Sequence, residues 1–100
     1  MNNKYFTIIT FYQFKIIKDK SNIITKLKDF CKFNKIKGTI LIADEGINGT
    51  IAGLEKNINS FILYLENFSF EKLNLKRSKY KYMPFQKLKI RNKNEIVTLR

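Results

Sequence analysis

All four glycines of this chain fall within sixteen consecutive residues, Gly38-Thr39-Ile40-Leu41-Ile42-Ala43-Asp44-Glu45-Gly46-Ile47-Asn48-Gly49-Thr50-Ile51-Ala52-Gly53. Glycine is demanded where the backbone takes a positive φ or where two backbones approach closely, so this stretch marks the one place with exacting backbone geometry. Two apolar, β-branched runs flank a turn that holds Asp44, Glu45, Gly46, Asn48 and Gly49, the pattern of a β-hairpin. A chain with helical periods on both sides of such a hairpin is a small α+β domain built around it.

Taken in order, Tyr5 to Phe14 is β-branched and aromatic with large side chains on both alternating sets, as expected of a central strand with both faces in use. Charge interrupts the pattern from Lys15 to Lys20. Asp19 or Ser21 then offers a helix cap, and Ile23, Ile24, Leu27, Phe30 and Cys31 form one apolar stripe of a helix that ends near Asn34, with Lys26, Lys28 and Lys32 turned to water. After the hairpin, Ile58, Phe61, Ile62 and Leu65 repeat at helical spacing from about Leu54 to Glu66. Leu73 to Arg77 alternates as a further strand. The order β-α-β-β-α-β is that of the ferredoxin-like fold, in which two helices cover one face of a four-stranded antiparallel sheet. Beyond Ser78 the pattern weakens and Pro84 argues against a central strand. The expected division is therefore a ferredoxin-like domain over 1–78 and a basic linker or short hairpin over 79–100, with Leu88 and Ile90 alternating against Lys87, Lys89 and Arg91, and a turn at Asn92-Lys93-Asn94 leading into Glu95 to Leu99.

Of the 100 residues, 20 are basic and 8 acidic, a formal charge of +12. Such an excess favours a polyanionic partner. Seventeen of the cations are lysines, and isoleucine and asparagine are also abundant, a pattern that A+T-rich coding also produces. The distribution is more telling than the total: residues 1–70 carry a net +4 and residues 71–100 a net +8. A single cysteine cannot close an internal disulfide, the first residues lack the pattern of a secretory signal, and no apolar run approaches the ~20 residues of a membrane span. A cytoplasmic protein with no membrane partner is the expectation.

The glycine-bearing run, preceded by Asp29-Phe30-Cys31-Lys32, resembles the N-terminal domain of the rhodanese-related tRNA uridine-34 hydroxylases, a family long labelled uncharacterised. Pro84-Phe85-Gln86-Lys87-Leu88-Lys89-Ile90 and Glu95-Ile96-Val97-Thr98 resemble that family's passage toward its second domain. The resemblance implies the acylphosphatase-like version of the ferredoxin-like fold, tRNA as partner through its anticodon region, and a rhodanese domain of a parent chain that carries the thiol chemistry of an oxygen-dependent hydroxylation at uridine C5. It implies an accessory, RNA-holding role for these 100 residues and no catalysis by them alone. A module of another class, free-standing and binding RNA or protein without chemistry, is the alternative.

Absences delimit the chemistry. No histidine is present, which removes Ser-His-Asp and Cys-His nucleophile systems, and one cysteine makes neither a thiolate cluster nor a redox pair. No nucleotide fingerprint occurs, so no cofactor, metal or catalytic residue is expected. Cys31 lies on the apolar stripe of the first helix and reads as a core residue. An acylphosphatase-type hydrolase would need an arginine in a glycine-rich anion cradle after the first strand, and Lys15 to Lys20 has neither. Asp44 and Glu45 read as turn carboxylates; the other reading makes Glu45, Gly46 and Asn48 an RNA-recognition loop. Lys87, Lys89 and Arg91 would project from one side of a strand about 6 to 7 Å apart, comparable with successive phosphates. Arg77, with Lys76, Lys79, Lys81 and the interleaved Tyr80 and Tyr82, would extend that basic surface. Among Tyr5, Phe6, Phe11 and Tyr12, one alternating set either stacks bases or meets the core or a second domain.

Overall fold

The computed structural model describes residues 5–93. Along the chain the elements are β1 (Phe6–Phe14), α1 (Lys20–Phe33), β2 (Lys37–Ala43), β3 (Gly46–Leu54), α2 (Glu55–Glu66), β4 (Asn74–Tyr80) and β5 (Leu88–Asn92). They form one sheet in the order β4-β1-β3-β2-β5. The first four strands are antiparallel and reproduce the expected ferredoxin-like arrangement. The sheet has a fifth strand as well: β5 pairs with β2 in parallel, matching Gly38 to Leu88 and Ile42 to Asn92. The ferredoxin-like core therefore stands as expected, and the basic extension adds an edge strand to it. The cause is Ile90, which is buried in the same core as Ile40 of the neighbouring strand. The turn residue Asn94 and the segment Glu95 to Leu99 lie outside the described residues.

Both helices pack on one face. From α1 come Ile23, Leu27 and Cys31, from α2 Ile58, Phe61 and Leu65, and from the sheet Ile9, Phe11, Ile40, Ile42, Ile47 and Ile51. The ring of Phe11 meets that of Phe61 at 5.7 Å between centroids, and Phe61 meets Phe30 at 6.2 Å. Gly49, opposite Phe11 in the register, leaves the space that this ring occupies; a Cβ there would fall 2.9 Å from its Cζ.

Gly38 and Gly46 have a different reason. Gly38 holds φ at 131°, and a Cβ would land 2.2 Å from the Thr50 carbonyl oxygen; at Gly46 it would land 2.5 Å from that of Gln13. With the glycines committed to the hairpin, the helices end without them. Lys35 at φ 55° follows α1 and Ser69 at φ 68° follows α2. The amide of Ile36 donates back to Cys31 and that of Phe70 to Leu65, and both apolar residues are buried. These are Schellman closures in which a left-handed non-glycine residue is held by the burial of its successor.

The β4–β5 connection must cross the sheet, because β4 and β5 are its opposite edges. Four strand spacings are about 19 Å, within the roughly 26 Å that the chain can span across residues 81–87. They pass the end of the sheet where β1 begins and β3 ends. On the face away from the helices at that end, Ala52 is 0% exposed and Phe6, Ile8 and Leu54 are half-buried, as are Met83 and Phe85 of the connection.

Candidate nucleic-acid interface

Register and alternation sort every strand residue to a face. Away from the helices, one row runs Asn74-Tyr12-Asn48-Leu41-Arg91 across the five strands, and the next runs Lys76-Thr10-Thr50-Thr39-Lys89. Thr10 and Thr50 touch through their hydroxyls at 3.3 Å. Phe14 stands beyond Tyr12 on β1, the two rings edge to face at 5.9 Å. Tyr12 is 46% exposed and Phe14 62%. Lys37 continues the basic side of this face one step below Lys89, and among the described residues no carboxylate occupies an outward position of any strand on it.

The candidate residues divide accordingly. Lys89 and Arg91 are exposed on the open face, with Lys87 in line just before β5, its carbonyl accepting from Gly38 at 2.9 Å. Asn48 is half-buried on the same face, between Tyr12 and Leu41. Arg77 lies on the opposite side. Its guanidinium donates to Asn59 Oδ1 of α2 at 2.8 Å, and Lys79 approaches Glu55 of α2 at 3.7 Å. Both cations therefore face the helix layer, whereas their neighbour Lys76 faces outward. Gly46 is buried, with the backbone of β1 where a side chain would be. Of the aromatic residues, Phe11 enters the core and Tyr12 the open surface. Sequence reading placed Lys76 only within a general basic stretch and did not single out Phe14; the strand register, invisible without partners, assigns their face.

The Asp44-Glu45 turn is braced from the β1–α1 loop. The amides of Lys15 and Ile17 donate to the carbonyls of Glu45 and Asp44 at 2.9 and 2.8 Å, and Lys20 Nζ meets Asp44 Oδ1 at 2.9 Å. Two amides that an anion cradle would aim outward are thus directed at the turn. Glu45 is exposed beside Phe14 and Gly46 at the end of the open face.

Cys31 is fully buried, and burial pushes its thiol up to about 12. Among the described residues, no three carboxylate or thiol groups converge on a metal site, and no helix is long and apolar enough to cross a membrane.

Comparison with known proteins follows the same lines. A tRNA uridine(34) hydroxylase of Wolbachia sp. subsp. Brugia malayi is 41% identical over 95 residues, covering 94% of this chain and 35% of the relative. The Acinetobacter baumannii (strain AYE) protein of the same name is 39% identical over 92 residues, and that of Bradyrhizobium diazoefficiens 40% over 103. The chain spans between 29 and 40% of the length of these relatives. Among solved structures, full-length HypF in its phosphate- and nucleotide-bound form superposes with a TM-score of 0.63 at 16% identity, over 90% of this chain and 12% of HypF, a likeness of fold alone. The five-stranded sheet with both helices on one face and the sequence match over residues 6–96 agree, and the chain belongs to the UPF0176 acylphosphatase-like domain family.

Proposed function

We propose that this domain is the accessory, RNA-holding part of a cytoplasmic tRNA wobble-uridine hydroxylase. The oxidative chemistry at uridine C5 then belongs to a rhodanese domain elsewhere in the parent chain. The observation that carries the reading is the match of nearly the whole chain, at about 40% identity, to proteins named tRNA uridine(34) hydroxylase. The cationic open face, with no carboxylate at an outward position of the five described strands, supports it, since phosphate neutralisation is what a domain that holds tRNA must supply.

Within this reading Lys87, Lys89 and Arg91 contact phosphates of the anticodon region. Asn48 offers an amide to a base edge or ribose, and Glu45 borders the site. Gly46 contributes by letting β1 close against the turn, and Arg77 by fastening α2. Cys31 has no part in turnover. A thiol held at about 12 carries essentially no thiolate near neutral pH, and it sits on the buried face of α1, out of contact with solvent.

The test is the affinity of the 100-residue chain for tRNA, for an anticodon stem-loop and for duplex DNA of equal charge, across a salt series. Preference for the stem-loop is expected, with a steep log-log fall in salt. Equal affinity for all three reduces the role to a cationic surface, and negligible binding near physiological salt removes it. In the parent enzyme, Cys31→Ser is expected to leave turnover nearly intact. A variant that folds normally yet loses all turnover refutes the assignment.

A further inference from the structure

The exposed pair Tyr12 and Phe14 is costly to leave in water and is not explained by the core. Both rings stand on the interior strand β1, between β4 and β3, at the half of the open face that the β4–β5 connection leaves uncovered. Asn48 is Tyr12's register partner on β3, and Phe14's is Gly46, which has no side chain, so the floor beside Phe14 is flat. Cations stand on both flanks. Lys76 is diagonal to Tyr12 on β4, and Arg91 lies three strands away in the same row, about 14 Å at ordinary strand spacing. Lys76 and Lys89 face each other over four spacings, about 19 Å. An extended single strand, with phosphates about 6 to 7 Å apart, crosses either distance in two to three nucleotides.

From this arrangement we infer that the open face binds an unpaired RNA segment of two to three nucleotides, laid across the strands, with bases stacked on Tyr12 and Phe14 and the phosphates running between Lys76 and the Lys89–Arg91 edge. Duplex RNA does not fit the same contacts. Its bases are already stacked on one another and present no free faces to the two rings, whereas every unpaired base does. Asn48, half-buried between the platform and the cationic edge, is placed to exchange hydrogen bonds with the edge of a base stacked on Tyr12. The absence of any outward carboxylate from these strands matches a phosphate chain and opposes an acidic protein surface less specifically. What favours the RNA is the aromatic platform, because every nucleotide of an unpaired strand offers a planar face beside its phosphate, whereas the acidic side chains of a peptide do not stack on rings.

The inference rests on the RNA-holding role proposed above, and one experiment separates their failures. Affinities of the 100-residue chain are measured for an unstructured 16-nucleotide RNA and for an 8-base-pair RNA duplex of similar charge, at 50 and 200 mM salt, together with sedimentation of the free chain. Tyr12→Ala and Phe14→Ala are each expected to weaken single-strand binding by about fivefold to a hundredfold, at an unchanged salt slope and unchanged melting temperature, with Tyr12→Phe retaining affinity. Lys89→Gln and Arg91→Gln should each flatten the log-log slope by about 0.7. If duplex and single strand bind alike and both alanine variants are silent, the stacking platform is overturned while the RNA-holding role stands. If no RNA binds at 50 mM salt, both fail. A dimer abolished by Tyr12→Ala, without RNA affinity, assigns the face to a second copy and overturns the inference.

Discussion

Lys76 and Arg77 are adjacent cations on β4, and the sheet separates them. Arg77 turns toward the helices and ends on Asn59; Lys79, two residues on, takes the same side and approaches Glu55. Lys76 points the other way, into a row that contains Thr10, Thr50, Thr39 and Lys89. The same contrast holds for the sheet as a whole. One face is closed by Phe11, Phe61 and the two helices, and the other carries exposed rings and cations with, among the described residues, no outward carboxylate from the strands. A formal charge of +12 therefore says little by itself, because part of it is used internally to fasten α2 to the edge of the sheet.

The deepest difference between the faces is in solvation, and Cys31 reports it. Its folded value of about 12 lies above the ordinary 9.0, so its contribution to stability is complete below pH 9 and is lost as pH rises toward 12. Relative to Cys31→Ala, urea unfolding should show stability falling by about 1 kcal/mol between pH 8 and 10. In the folded chain at pH 8, a disulfide reagent should fail to titrate the thiol until urea unfolds it. Rapid titration without unfolding would mean that α1 does not seal its face.

The comparison of Lys76 with Arg77 is sharpened by removing one charge at a time. Lys76→Gln is expected to flatten the salt dependence of single-strand RNA binding by about 0.7 and to leave stability within about 0.5 kcal/mol. Arg77→Gln should cost about 1 kcal/mol of stability through the lost bond to Asn59, and should leave the RNA salt slope as it was. Equal effects on RNA would mean that the faces are not functionally distinct. The smallest expected effect is a gain. The hydroxyl of Thr7 is buried on the helix side without a hydrogen-bond partner, so Thr7→Val, which keeps the shape and removes the unsatisfied group, should raise stability by about 1 kcal/mol in the same urea assay.

Much of the fold was legible in the residues. The confinement of glycine to 38–53 located the hairpin because a positive φ at Gly38 and the close approach of β1 to Gly46 exclude any side chain, and exclusion of that kind leaves a compositional mark. The apolar stripes over Ile23, Leu27 and Cys31 and over Ile58, Phe61 and Leu65 located both helices, because helix periodicity is a local property of sequence. Lys89 and Arg91 read correctly as one side of a strand for the same reason, since alternation is local too, with Lys87 falling just before it. The strand's place in the sheet is not. Nothing within Leu88 to Asn92 states that it runs parallel to β2; that was settled by whether Ile90 could reach a core shared with Ile40.

The sequence by itself determined the kind and order of the local elements, the core position of Cys31 and the clustering of cations in the last third, because each follows from near neighbours in the chain. Only the tertiary structure decided which cations share a surface. It turned Arg77 to α2 and Lys76 to the open face, brought Asn48 beside Tyr12, and left Phe14 uncovered. Sides of a sheet are set by register, and register is a property of paired strands: Tyr12 and Asn48 are 36 positions apart in the chain and adjacent in the sheet.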